Sequence, residues 1–218
     1  QILVNRTSGD LFVTQILVFP ASLGLSYMVK VLRQSTNWTV ERLIGGATCS
    51  TELKLEGIPG RSFISLTQSP ALALHPDGSL LFSDPIDAVV WRLNSTATGQ
   101  PGTMEIFTGM GSTNGCDGGL ATRAALYEPR GVGVDRYGNI FVAETTYSRI
   151  RRIDAATGII TTMAGTGSAG SMGDGGAATA AQLNGPAAIR SDAAGNIFVA
   201  NAYSHTVRKI TPAGVIST

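Results

Sequence analysis

Pro129-Arg-Gly-Val-Gly-Val-Asp-Arg-Tyr-Gly-Asn-Ile-Phe-Val-Ala-Glu144 decides the fold, because the chain contains it again as Pro186-Ala-Ala-Ile-Arg-Ser-Asp-Ala-Ala-Gly-Asn-Ile-Phe-Val-Ala-Asn201. Two further motifs recur at the same spacing of 57 residues. Arg149-Ile-Arg-Arg-Ile153 returns as Thr206-Val-Arg-Lys-Ile210, and Asp117-Gly-Gly-Leu-Ala-Thr122 as Asp174-Gly-Gly-Ala-Ala-Thr179. An earlier copy runs Pro70-Ala-Leu-Ala-Leu-His-Pro-Asp-Gly-Ser-Leu-Leu-Phe-Ser-Asp84 and then Val90-Trp-Arg-Leu93. A weaker one is Ser8-Gly-Asp-Leu-Phe-Val13 with Val29-Lys-Val-Leu32. Each copy holds four short apolar runs separated by turn residues. Gly138-Asn139, Gly195-Asn196, Gly78-Ser79 and Gly9-Asp10 mark the first turn, where glycine supplies the positive φ of a tight hairpin. Four antiparallel strands recurring every 40–60 residues or so are the signature of a β-propeller blade. The predicted fold is therefore all-β.

At these residues the chain resembles the NHL-repeat family. The carriers are the P-x-G-V-x-V-D-x-x-G-N-I-F-V-A run, the R-I-R-R-I strand and the G-D-G-G-x-A-T loop. The resemblance covers nearly the whole chain and implies one propeller domain over 1–218, with blades near 1–45, 66–109, 127–165 and 184–218. Family propellers usually have six blades, so four imply part of a larger or an incomplete ring. Residue 1 is Gln, and both ends read as strands, which suggests a piece of a longer chain or a processed product.

Composition agrees and excludes several classes. The 218 residues are 43% hydrophobic and only 14% charged, with 27 glycines. That is neither a coiled coil nor a disordered chain. A net charge of +1 offers nothing to nucleic acid or an anionic membrane. Leu11 to Val29 is uncharged and just long enough to span a bilayer, but Thr14, Gln15, Pro20, Ser22 and Ser26 favour a strand followed by an apolar insertion around Phe19 to Leu25.

Three sequons begin at Asn5, Asn37 and Asn94, and the chain has two cysteines, Cys49 and Cys116. Together they point to a secreted glycoprotein. Blade topology puts the first-to-second and third-to-fourth turns on one face, and the second-to-third turns and blade connections on the other. All three asparagines fall on the first face. Cys49 and Cys116 fall in neighbouring connections on the second, where they either bridge or remain free thiols.

Catalytic patterns are weak. Gly165-Thr-Gly-Ser-Ala-Gly170 matches a dinucleotide fingerprint, but no helix is expected to follow it. Asp117 and Asp174 lie in glycine-rich loops without a calcium-loop spacing, and each is expected to cap the backbone of its own loop. The chain's two histidines, His75 and His205, are too few for a catalytic zinc, so neither a metal nor another cofactor is expected. The basic residues of Arg149–Ile153 and Thr206–Ile210 read as cross-strand partners of acids such as Asp84 and Glu144 rather than as an RNA surface. Tyr147 and Tyr203 are expected at equivalent positions in second-to-third turns, where exposed tyrosines make good contact residues.

The sequence thus reads as a non-catalytic extracellular module, or a subunit of a fibre or surface assembly. Its partner would be a protein, a glycan or its own copies, engaged through Tyr147, Tyr203, Asp117 and Asp174. The competing class is a lyase- or hydrolase-type six-bladed propeller with its site on the loop face or in absent blades.

Overall fold

The computed structural model describes four strands of the first repeat by backbone alone, and residues 71–94, 104–111 and 117–218 in detail. Among the described residues, sixteen strands form four separate four-stranded antiparallel sheets, each in simple meander order. The first holds β1 (Ile2–Val4), β2 (Leu11–Val18), β3 (Tyr27–Gln34) and β4 (Val40–Ile44); the second β5 (Leu72–Leu74), β6 (Leu80–Asp84), β7 (Val89–Leu93) and β8 (Met104–Thr108). The third holds β9 (Pro129–Val134), β10 (Ile140–Glu144), β11 (Arg149–Ile153) and β12 (Ile160–Ala164); the fourth β13 (Pro186–Ser191), β14 (Ile197–Asn201), β15 (Thr206–Ile210) and β16 (Ile216–Ser217). First strands of successive sheets adjoin in chain order, β1 beside β5, β5 beside β9 and β9 beside β13. These are the blades of a β-propeller.

The strand Ile140-Phe-Val-Ala-Glu144 shows why the apolar runs do not alternate. All five residues are buried. Ile140 and Val142 pack toward blade two with Leu81, Val90 and Val132, while Phe141 and Ala143 pack toward blade four with Ile189 and Val199. A strand covered on both faces has no solvent side to be polar. Burying each large aliphatic side chain contributes about 1.5–3 kcal/mol.

Repetition extends to backbone irregularities. A register shift between third and fourth strands recurs at Val31/Leu32, Val90/Trp91 and Ile150/Arg151. It corrects the expected alignment of the first repeat. The counterpart of Val90 is Val31, two residues later than the Val29-to-Leu32 match implies. β2 and β3 pair over eight residues each, from Leu11↔Gln34 to Val18↔Tyr27, and the insertion expected around Phe19 to Leu25 lies outside the described residues. The expected first-turn glycines take positive φ at Gly78 (87°), Gly138 (85°) and Gly195 (84°). Apart from strands, the described residues include single 3-10 turns at Ala121–Arg123 and Ala178–Ala180, and no helix long and apolar enough to cross a membrane.

Candidate functional site: the loop face and its buried ion pairs

The described parts of the connections before blades three and four run along the outer rim of the blade they precede. The Ile160 amide donates to the Gly119 carbonyl at 2.9 Å, and the Gly118 and Ala121 amides donate to the Ile160 and Gly158 carbonyls, both at 2.9 Å. One repeat later, the Gly175 amide donates to Ile216 at 2.8 Å and Ala178 to Gly214 at 2.7 Å. Asp-Gly-Gly thus adds a short fifth strand to β12 and β16, whose outer backbone groups would otherwise be open to pairing.

The aspartates fasten this strand rather than capping their own loop, which corrects the sequence expectation. Asp117 Oδ1 accepts from Arg151 at 2.8 Å and from the Thr162 hydroxyl at 3.1 Å. Asp174 Oδ1 accepts from Arg208 at 2.6 Å, and its Oδ2 from the Thr218 amide at 3.0 Å. The bonds from Thr218 are the chief cause holding the Asp174 carboxyl below the usual range. Arg151 and Arg208 are completely buried, while both aspartates are 47% exposed.

Trp91, Arg151 and Arg208 share one repeat position, and Asp84, Glu144 and Asn201 share another. In blade two the Trp91 indole N–H points to Asp84 Oδ2 at 3.4 Å. In blade three Glu144 accepts from the Tyr127 amide at 3.0 Å and from Arg151 at 3.4 Å, with Arg149 Nε at 3.7 Å. The cross-strand pairing expected of Glu144 is present, whereas Asp84 meets an indole instead of a cation. Burial raises the carboxyls of Asp84 and Glu144, and Arg151 and Arg149 only partly offset it at Glu144. Both polar atoms of the buried Asn201 side chain lack a hydrogen-bond partner, because this amide stands where blade three has a carboxylate.

The second-to-third turns carry a different set of groups. Ala88, Ser148 and His205 take φ of 57°, 47° and 54° and mark one repeat position. Counting from them, Tyr203 corresponds to Ile86 and Thr146, and Tyr147 to Asp87 and Ser204. Tyr147 and Tyr203 are therefore in the same turn but one position apart, not equivalent as expected. Ile86 is 57% exposed, Tyr203 64% and Tyr147 40%. The Tyr147 ring lies 4.2 Å from that of Tyr127, and the Arg149 guanidinium 5.2 Å from its centroid. Beside them Glu128 sits at φ 48°, where blade four has Gly185 at 62°. Glu128 accepts from Arg130 at 2.6 Å and from the Thr146 hydroxyl, and the Thr146 bond is the main cause lowering its carboxyl. Sequence reasoning passed over Glu128 and read Arg149 only as a cross-strand partner of an acid. Alignment of Glu128 with Gly185 was the available signal for the first.

On the opposite face, Asn94 follows β7 half-exposed, and its amide donates to Glu105 at 3.3 Å. His75 Nδ1 lies 2.8 Å from Asp77, which also accepts from Ser79 and Arg92. The Ser79 hydroxyl binds the carboxylate and not the imidazole, so these residues do not form a nucleophile–base pair. Asn5, Asn37, Cys49 and Cys116 lie outside the described residues. Among the described residues, no group of three or more His, Cys, Asp or Glu side chains is placed to hold a metal.

Four meander blades with these recurring turns define a β-propeller, and the comparisons agree. The family model for the teneurin NHL domain matches residues 74–172. The match covers a little under half of the chain and supports a likeness to the NHL-repeat family. The chain is 31% identical to human teneurin-4 over 137 residues, covering 58% of this chain and 5% of that one. Identity to human teneurin-1 is 34% over 119 residues, or 48% and 4% of the two chains. The chain thus spans about one-twentieth of the length of the curated relatives it matches. Among solved structures, a Bacteroides thetaiotaomicron protein of unknown function superposes with a TM-score of 0.68 at 19% identity, over 99% of this chain and 46% of that one. A streptogramin B lyase does so with a TM-score of 0.54 at 11% identity, over 99% and 52%. At these identities the superpositions speak to fold alone.

Proposed function

We propose that the chain is a non-catalytic extracellular interaction module that engages a protein or glycan partner through its loop face. One observation carries this reading. The exposed apolar residues of the second-to-third turns, Ile86, Tyr147 and Tyr203, recur on three successive blades of one face. Tyrosines on rigid turns offer large contact area with few rotatable bonds. Asp117 and Asp174, by contrast, are committed to Arg151 and Arg208, so they support the loop face from the rim instead of meeting the partner. Self-association through the outer strands of blades three and four is disfavoured, because the Asp-Gly-Gly segments already occupy those edges. Assembly into a fibre would have to use the faces.

The three sequons and the match to the teneurin NHL domain support the extracellular setting. In this reading Asn5, Asn37 and Asn94 carry glycans that keep partners off the turn face, and Cys49 bridges Cys116. The test is binding of the labelled, multimerised chain to cells. Tyr147→Ala with Tyr203→Ala should weaken binding by about tenfold or more at unchanged melting temperature, while Asn94→Gln should leave it intact. Binding lost only with Asn94→Gln would transfer the contact to the glycan face.

A further inference from the structure

Arg149 stands between the buried carboxylate of Glu144 and the exposed ring of Tyr147. Its repeat counterparts are Lys30, Val89 and Thr206, so among blades two to four the cation belongs to blade three alone. Its side chain is 24% exposed. Among the described residues it meets Glu144 Oε2 at 3.7 Å, beyond hydrogen-bond length, and the Tyr147 ring at 5.2 Å. Its Nε is buried without a hydrogen-bond partner. A guanidinium stacked on a tyrosine is already oriented, so it loses little freedom when it binds a planar carboxylate through two N–H groups.

The surroundings select the ligand. Glu144 is shared, with Arg151 at 3.4 Å on its other side and Asp117 beyond that at 2.8 Å. This line of charges runs from the rim to the loop face and leaves its last member, Arg149, incompletely paired. Arg130 lies in the same cluster, and Glu128 is already taken by Arg130 and Thr146. Arg130, Arg149 and Arg151 are balanced by Asp117, Glu128 and Glu144, so the face offers no net charge but one part-exposed guanidinium, Arg149, set 3.7 Å from its acid beside an apolar floor of Tyr127 and Tyr147. Glu128 is held in a left-handed conformation that disfavours a side chain, a strain that recurs at ligand-contacting positions.

We infer that Arg149 anchors an acidic side chain of the partner protein, flanked in that partner by an apolar residue that rests on Tyr147. This rests on the loop-face reading above and names what that face recognises.

The probe is the peptide Ac-Phe-Glu-Gly-NH2, titrated at constant ionic strength into the isotopically labelled 218-residue chain and followed by NMR. Two control peptides replace Glu with Gln, one amidated and one with a free C-terminal carboxylate. The expected result is a saturable shift of the Arg149 Nε–H signal and the Thr146 and Tyr147 amides. It should be at least about tenfold weaker with the amidated Gln peptide and lost in Arg149→Met, and it should be reduced in Arg149→Lys, which keeps the charge but not the fork. Equal shifts with both amidated peptides, the same shifts with sodium sulfate, or retention in Arg149→Met would overturn the inference. A stronger response to the free C-terminus would overturn the assignment to a side chain. Should cell binding survive Arg149→Met but fail in the Tyr147→Ala, Tyr203→Ala double variant, the loop-face reading stands and the acidic anchor falls.

Discussion

Replacing Arg151 with Met keeps the bulk of the side chain and removes its charge. Arg151 and Glu144 are both fully buried, and the guanidinium also holds Asp117 at the rim. The variant leaves a carboxylate inside the blade with one distant cation, Arg149 at 3.7 Å. Removing one partner of a buried pair costs about 3–5 kcal/mol. At about 2–4 °C per kcal/mol for a domain of this size, the melting temperature should fall by roughly 6–20 °C. The pH dependence gives the cause. Glu144 is raised above its ordinary value by burial, and loss of Arg151 raises it further. An acid whose folded pKa is raised costs stability while it is ionised, above that folded pKa. The deficit should therefore be largest at neutral pH and shrink as pH falls through the raised value. Calorimetric scans of both proteins from pH 7 to pH 4 supply the assay. Arg152→Met, at a partly exposed pair with Asp154, is the control and should cost no more than about 1 kcal/mol. A loss below that for Arg151→Met, or a deficit that grows toward acid pH, would refute the argument.

Two further outcomes are expected. Gly165 has φ 93°, and a Cβ there would collide with the Ser148 carbonyl oxygen. Gly165→Ala should cost about 2–5 kcal/mol by denaturant titration, from the left-handed penalty plus overpacking, while Gly175→Ala, with open space around it, incurs the smaller conformational cost alone. Secretion from a eukaryotic cell should add glycan at Asn94, seen as a mass shift removed by glycosidase on the peptide that contains it; an unmodified Asn94 would withdraw the glycan-face argument.

The strands were legible because one local pattern repeats. Ile140–Ala143 and Ile197–Ala200 are the same four residues between the same turns, and both blade faces must be covered. The rim strand was less legible, because it joins groups far apart. Asp117 meets Arg151 and Asp174 meets Arg208, each pair 34 residues apart. That common separation was in the sequence, but Asp in a glycine-rich turn has a closer backbone to bind, and the local reading prevailed. Tyr147 and Tyr203 read as equivalent because each sits in the second-to-third turn of its blade. The 57-residue spacing already sets Tyr147 against Ser204, and the left-handed Ser148 and His205 agree with it. Arg149 resembled the other basic residues of its strand, and nothing local distinguished a cation lacking a close partner from one buried against two carboxylates.

The account's central claim concerns which face meets the partner, and site-specific photocrosslinking measures that directly. Benzoylphenylalanine is placed at Tyr203 on the loop face and, separately, at Ala155, exposed in the third-to-fourth turn of the opposite face. Both labelled chains are irradiated on the cells that bind them. The account predicts a covalent adduct from position 203, competed by unlabelled chain, and none from position 155. An adduct from position 155 with none from position 203 would contradict it.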